Sequence, residues 1–209
     1  MSSWASYLNS VFGRAPTAPV YILCMGHICW LFYLGLTGGL GVEPIKALEH
    51  AYGKAGLQAL IVTLAVTPLR RFAGVNLLKF RRALGLSAFF YIAAHLLVWL
   101  LFDVQLIGQI WADILKRPYI TVGMAGFALL LPLAITSNSA SIRKLGAIRW
   151  RMLHRLSYLA VLLGGVHYLM LVKGFQIEPM LYLAGILGLI ALRSRTLGRK
   201  TAQASSRAS

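Results

Sequence analysis

His95, in the stretch FFYIAAHLLVWLLF, and His167, in GGVHYLM, are imidazoles set in runs of apolar side chains. A histidine deep in a hydrocarbon-like run is costly and usually faces a protein interior, a water path or a metal. His154, in WRMLHRLSYL, begins the same apolar run as His167, and His27 and His50 complete the set of five. Neutral imidazole is a good transition-metal ligand. Two of them facing each other at one depth would supply both axial ligands of a b-type haem. Ala93, Ala94, Gly164 and Gly165 nearby make room, and apolar surroundings suit a porphyrin face. Zinc is less suited, because no cysteine or carboxylate lies at that depth to complete a tetrahedral set. A proton path would more often add intramembrane Asp or Glu, which the span interiors lack. The plain alternative is a pair of histidines hydrogen-bonded across a helix bundle; for the matched pair, haem ligation ranks above it.

The elements that must hold these residues are membrane helices. The chain has 209 residues, 58% of them hydrophobic and 12% charged, against roughly 25% charged in a soluble domain. Runs near the roughly 20 apolar residues that cross a bilayer as helix, without the alternation of barrel strands, predict an all-α membrane bundle of six spans. The spans are Val20–Thr37, Gly56–Leu69, Ala83–Phe102, Tyr119–Thr136, Leu153–Val172 and Ile177–Leu192. The second is short, cut by Pro68 and the arginines after it, so tilt or a kink is expected there. Arg14 ahead of an apolar run resembles a secretion signal, but the run is long and lacks a small-residue cleavage site, so it reads as a retained first helix. The expected division is a cytoplasmic segment 1–19, a transmembrane domain 20–192, and a basic, polar, disordered tail 193–209.

The net charge of +16 would suit nucleic acid were it not for where the charges fall. With the N-terminus inside, 16 of the 21 basic residues lie on one side: Arg14, the group from Arg70 to Arg82, the group from Arg143 to Arg155, and the tail. Only Lys46, Lys54, Lys116, Arg117 and Lys173 lie on the other, with all five acidic residues, Glu43, Glu49, Asp103, Asp113 and Glu178. This is a positive-inside pattern with both termini cytoplasmic. The basic excess then serves topology and lipid headgroups, and nucleic acid is excluded as a partner. Cys24 and Cys29 form no CxxC or CxxCH pattern and read as small buried side chains.

Depth follows from topology. The third and fifth spans both run outward, and at about 1.5 Å per residue His95 lies roughly 18 Å above Ala83, and His167 roughly 21 Å above Leu153. The two share a level in the outer half of the membrane. On a continuous helix His154 would sit roughly 20 Å below His167 and roughly 140° away in azimuth, so one haem does not bridge them. Two stacked haems could use one each, with Gly164–Gly165 as a site of helix distortion. Opposite His154 the third helix offers Arg81 and Arg82, which suit propionates or lipid phosphate and ligate metal poorly. His50 reads as an interfacial polar residue open to a quinol or partner role, and His27 as structural.

GGLGVEPIKALEHAYGKAGLQAL, TPLRRF, FRRALGL followed by AAHL, KRPYITVG, ITSN, and WRMLHRLSYL followed by HYLM resemble the haem-binding membrane subunits of bacterial periplasmic protein-methionine-sulfoxide reductase systems. The resemblance runs from about Gly38 to Lys173 and places the chain among ferric-reductase-like transmembrane domains. It implies a six-helix haem bundle in the bacterial inner membrane, with His95 and His167 on the outer haem iron. In two-haem relatives the third and fifth helices each give two histidines. Here Arg81 stands where the third helix would carry its second, so the inner ligand His154 lacks an imidazole partner. The resemblance also implies quinol or a cytosolic flavin reductase as donor, FMN as a further cofactor, and a periplasmic molybdopterin subunit that repairs methionine sulfoxide. No FMN motif is visible, and too few residues follow the last span to fold a flavin domain. Two other functions compete: a small transporter or channel with a histidine-lined pathway, which the lack of inverted repeats disfavours, and a stand-alone metal reductase. The outer loops Gly38–Lys54 and Asp103–Pro118 are the expected partner surface.

Overall fold

Apolar side chains dominate the outside of this molecule as well as its core. Ile22, Leu23, Trp30 and Leu36 on one helix, and Leu131, Ile135, Leu181 and Leu187 on others, are exposed, an arrangement stable only against lipid or another apolar surface. The computed structural model describes residues 3–104, 107–172 and 174–205. Lys173 and Arg207, the side chains of Asp113, Arg195, Arg199 and Lys200, and residues 105 and 106 of the second expected loop lie outside the described residues.

Every regular element among the described residues is helical. In order they are α1 (Ser3–Arg14), α2 (Ala18–Leu36), α3 (Pro44–Phe72), α4 (Arg81–Val98), α5 (Ile107–Lys116), α6 (Pro118–Ile135), α7 (Ser139–Leu145), α8 (Ala147–Leu153), α9 (Leu156–Leu171) and α10 (Ile177–Ser205). A 3-10 turn, Leu78–Phe80, leads into α4, and a π-helical turn, Trp99–Val104, follows it. Proline opens α3 and α6 at the first helical position, where its missing N–H leaves no intrahelical bond unmade. By length and composition, Ala18–Leu36, Leu78–Asp103 and Pro118–Ile135 are long and apolar enough to cross a membrane. The chain is a membrane protein.

The other three expected spans lie within helices of different outline. α3 starts at Pro44, twelve residues before the expected Gly56, and stays helical through Pro68 to Phe72. Pro68 is buried; it lacks the N–H that would bond Leu64, yet the helix is not ended by it. Most of the expected outer loop Gly38–Lys54 is therefore helix, and so is much of Asp103–Pro118, which holds α5. α10 continues from the expected sixth span into the basic segment as far as Ser205.

The fifth span departs most from expectation. It does not start as one helix at Leu153: α8 ends there, and α9 begins at Leu156. Across the junction the backbone bonds shorten in register, with Arg155 N–H to Met152 O at 3.1 Å and Tyr158 N–H to Arg155 O at 3.0 Å. These are three-residue bonds, which tighten the chain as in a 3-10 turn. His154 thus caps α8, and the azimuth expected from one continuous helix does not apply. Gly164–Gly165, the expected distortion site, lies inside unbroken α9. A Cβ on Gly165 would lie 2.8 Å from Ile186 Cδ1 and 3.2 Å from Leu183 Cδ1, so this glycine lets α10 pack close instead.

The core forms where α3 packs on α4, α6 on α9, and α10 on both α9 and α3. Leu57, Leu60 and Leu64 of α3 meet Ala88, Leu130, Leu133, Ala160, Val161 and Ile186 there. α2 covers α3 and α4 from outside, joined by Tyr52 Oη donating to Ile28 O at 2.7 Å and by His27 Nδ1 with Tyr91 Oη at 2.8 Å. His27, expected to be structural, is a tie between helices through Tyr91. Cys24, buried, and Cys29, exposed, are both free thiols.

Candidate metal centre

α4 and α9 each deliver one histidine to the middle of the bundle. The rings of His95 and His167 lie 6.1 Å apart, centroid to centroid, with their planes at 78°. Two imidazoles on opposite sides of one iron, each bonded at about 2 Å through a ring nitrogen, have centroids about 6 Å apart. The observed separation fits such a pair.

Each ring is fixed through the nitrogen that a metal would not use. His95 Nδ1 is 2.9 Å from the Glu49 carbonyl oxygen on α3, and His167 Nδ1 is 2.7 Å from the Tyr119 carbonyl oxygen on α6. A carbonyl only accepts, so both Nδ1 atoms carry the proton. In neutral imidazole that leaves Nε2 with a free lone pair, the arrangement typical of metal-bound histidine. Glycines stand beside both rings: a Cβ on Gly53 would be 3.1 Å from His95 Nδ1, and one on Gly123 would be 2.8 Å from His167 Nδ1.

The pair lines a cavity of about 730 Å³ between α3, α4, α6 and α9. Its walls grade along the helix axes. Leu57, Leu60, Phe127, Leu130 and Ala160 line the deep end, whereas His50, Lys54 and Gln176 line the end nearer the α3 start. Apolar walls with few polar groups suit a large flat cofactor. Among the described residues no group of three or more His, Cys, Asp or Glu could hold a bare metal ion. The donor set therefore fits a metal that brings its own equatorial ligands, and haem is such a group.

His154 sits apart from this pair, at the α8–α9 junction. Its ring stacks on Trp150, centroids 3.9 Å apart and planes at 25°, and its Nε2 lies 3.1 Å from Thr136 Oγ1. The Thr136 hydroxyl lies 2.7 Å from the Pro132 carbonyl, which takes its single proton, so Nε2 donates to it. Trp150 Nε1 donates to Thr136 O at 2.9 Å and closes this corner. Arg81 is half-buried, and its charge reaches His154 and is opposed by Arg193. Arg193 lies over the Tyr158 ring at 4.8 Å. Arg82 is exposed.

The structure thus brings together His95 and His167 and adds His50 to their cavity. It keeps His154 and Arg81 in a separate corner and leaves Arg82 at the surface. Sequence reasoning missed Gly53, Gly123 and the Glu49 and Tyr119 carbonyls, because a backbone acceptor has no residue signature. A glycine four residues after each acceptor was the one visible trace.

Residues 52–165 match the family described as ferric reductase like transmembrane component. A protein of Agrobacterium fabrum named protein-methionine-sulfoxide reductase heme-binding subunit MsrQ is 46% identical over 195 residues, 91% of this chain and 90% of that one. Proteins of the same name from Brucella ovis and Brucella suis are each 49% identical over 165 residues, 78% of this chain and 74% of theirs. With a family match over residues 52–165 and relatives matched over most of its length, the chain belongs to the MsrQ family of ferric-reductase-like transmembrane proteins.

Proposed function

We propose that this chain carries single electrons across the bacterial inner membrane to a methionine-sulfoxide reductase subunit on the periplasmic side. The observation that carries the reading is the His95–His167 pair, 6.1 Å apart and held through Nδ1 by two carbonyls in an apolar cavity. When bound there, b-type haem supplies a one-electron iron couple. The protein's part would be to offer Nε2 of both rings to the metal, keep their tautomer fixed through Nδ1, and exclude water with Leu57, Phe127 and Leu130.

The direction of transfer rests on topology. Six spans with both termini inside would put the α3 start and Glu178 outside, and the basic end of α3, the basic segment Arg143–Arg155 after α6 and the arginines from Arg193 on inside. Lys54 pairs with Glu178, and Glu49 and Tyr119 meet the two histidines, so one end of the bundle carries the cavity mouth and the acidic residues. The donor is membrane quinol or a cytosolic flavin reductase, and the acceptor is a molybdopterin subunit; FMN is a further cofactor. Support for these partners is membership of the family. Residues 1–19 form the cytoplasmic lead, 20–192 the bundle, and 193–209 the tail. An inner haem would take His154, with Arg81 beside it, only after Nε2 releases Thr136. A histidine-lined conduit fits less well, because both outer rings are locked to backbone carbonyls and do not swing.

The test is a pyridine-haemochrome assay with redox difference spectra on the purified chain. The expected result is a b-type spectrum that His95→Ala and His167→Ala each abolish at the outer centre. A chain that purifies without haem, or spectra unchanged in both variants, would overturn the reading.

A further inference from the structure

The two ligand histidines are held in the same way on unrelated helix pairs. His95 meets the Glu49 carbonyl, and the glycine beside its ring is Gly53. His167 meets the Tyr119 carbonyl, and the glycine beside its ring is Gly123. In both cases the glycine follows the accepting residue by four.

Helix geometry gives that spacing its meaning. The carbonyl of residue i lies under the N–H of residue i+4, and each Cβ tilts toward the helix N-terminus, over the preceding turn. A side chain at i+4 therefore overhangs the carbonyl of residue i. An outside donor reaches that carbonyl's second lone pair most directly where the overhang is missing. Tyr52 Oη does reach Ile28 O with Phe32 at i+4, but a long phenol can come in past the side chain, whereas a short imidazole packed against the helix has less room. A Cβ on Gly123 would stand 2.8 Å from His167 Nδ1 and 2.9 Å from Cε1; one on Gly53 would stand 3.1 Å and 3.3 Å from the same atoms of His95. Both sets lie below ordinary carbon contact distances, and the neighbour is a ring already held at its Nδ1.

We infer that Gly53 and Gly123 are positioning residues of the metal centre: each opens the helix carbonyl four residues before it to an imidazole Nδ1–H and so sets the ligand strength of that imidazole's Nε2. The inference rests on the haem reading above and adds to it a control of potential. Donation from Nδ1 to a carbonyl raises the basicity of Nε2, and a more basic ligand stabilises ferric over ferrous iron. Restoring a Cβ lengthens the bond, weakens that donation and raises the midpoint potential. Of the two sites, Gly123 has the tighter approach and the larger expected effect.

The experiment is redox titration of the purified full chain, wild type against Gly53→Ala and Gly123→Ala, with haem content and far-UV circular dichroism on each. Gly85→Ala and Gly188→Ala are controls for the same change: a Cβ on Gly85 meets only Thr63 Cγ2, at 3.8 Å, and one on Gly188 meets nothing within 4 Å. The expected result is a rise in both test variants, larger for Gly123→Ala and approaching a tenfold change in the ferric-to-ferrous affinity ratio, about 59 mV for a one-electron couple. The controls should stay at the wild-type value. Should Gly123→Ala lose its haem, Gly53→Ala decides. Unmoved potentials in haem-loaded test variants, or equal movement in the controls, would overturn the inference and leave the haem reading standing. A wild-type chain without haem would instead overturn the haem reading itself.

Discussion

Imidazoles gain their role here from what holds the other nitrogen. The carbonyls of Glu49 and Tyr119 fix His95 and His167 as Nδ1–H tautomers, whereas Nε2 of His154 is hydrogen-bonded to the Thr136 hydroxyl. Nε2 of His95 and of His167 is therefore left with a free lone pair, and His154 is engaged elsewhere. His154→Ala should consequently leave the midpoint potential of the outer centre unchanged in a redox titration. A shift comparable to that of an outer-ligand variant would show that the two corners are coupled. The equal depth of His95 and His167 was legible from span ends and helix rise alone. What sits against each ring was not, since backbone carbonyls and a threonine hydroxyl leave no recognisable pattern. Tyr52 makes a similar hidden contact, donating to Ile28 O at 2.7 Å while 2% exposed. Tyr52→Phe should lower unfolding stability in detergent by about 1 kcal/mol, the usual net value of such a bond, with helicity unchanged.

Helices position these groups through close approach at small residues. A Cβ on Gly56 would lie 2.6 Å from Ile92 Cγ1 and 3.3 Å from Tyr91 Cβ, so α3 and α4 meet at a distance that only glycine permits. Gly56→Ala should separate them and destabilise the fold by about 1–3 kcal/mol, the range for overpacked cores. Thermal unfolding in detergent measures this, and an unaltered midpoint would contradict the close packing of α3 on α4. Span ends were legible for α2, α4 and α6, where apolar runs begin and stop sharply. They were less so for α3, whose first turns carry Lys46, Glu49, His50 and Lys54 and look like loop by hydropathy, although Pro44 at the first helical position marks the start. The break at His154–Arg155 left no trace, because neither residue is Gly or Pro and the tightening comes from three-residue backbone bonds.

The whole molecule presents a lipid-compatible exterior and a graded interior. Its charges divide unevenly along the sequence, no acidic residue lying in the segments that carry the arginine groups, and the positive-inside pattern predicts cytoplasmic termini. A fluorescent protein fused after Ser209 should therefore be bright inside cells, and alkaline phosphatase fused at the same point should be inactive. The reverse result would invert the topology and with it the direction of electron transfer. Family and redox role were legible because loop motifs and histidines appear together in order, but the cavity needed the fold, since α3, α4, α6 and α9 each give it only part of its lining. The central claim is that His95 and His167 grip one iron. Electron paramagnetic resonance of the oxidised, purified chain tests it most directly, because an iron held by two rings with planes at 78° would have nearly degenerate d orbitals and would give a strongly anisotropic low-spin signal. Wild type should show that signal, and both His95→Ala and His167→Ala should lose it; its survival in either variant would contradict the shared centre.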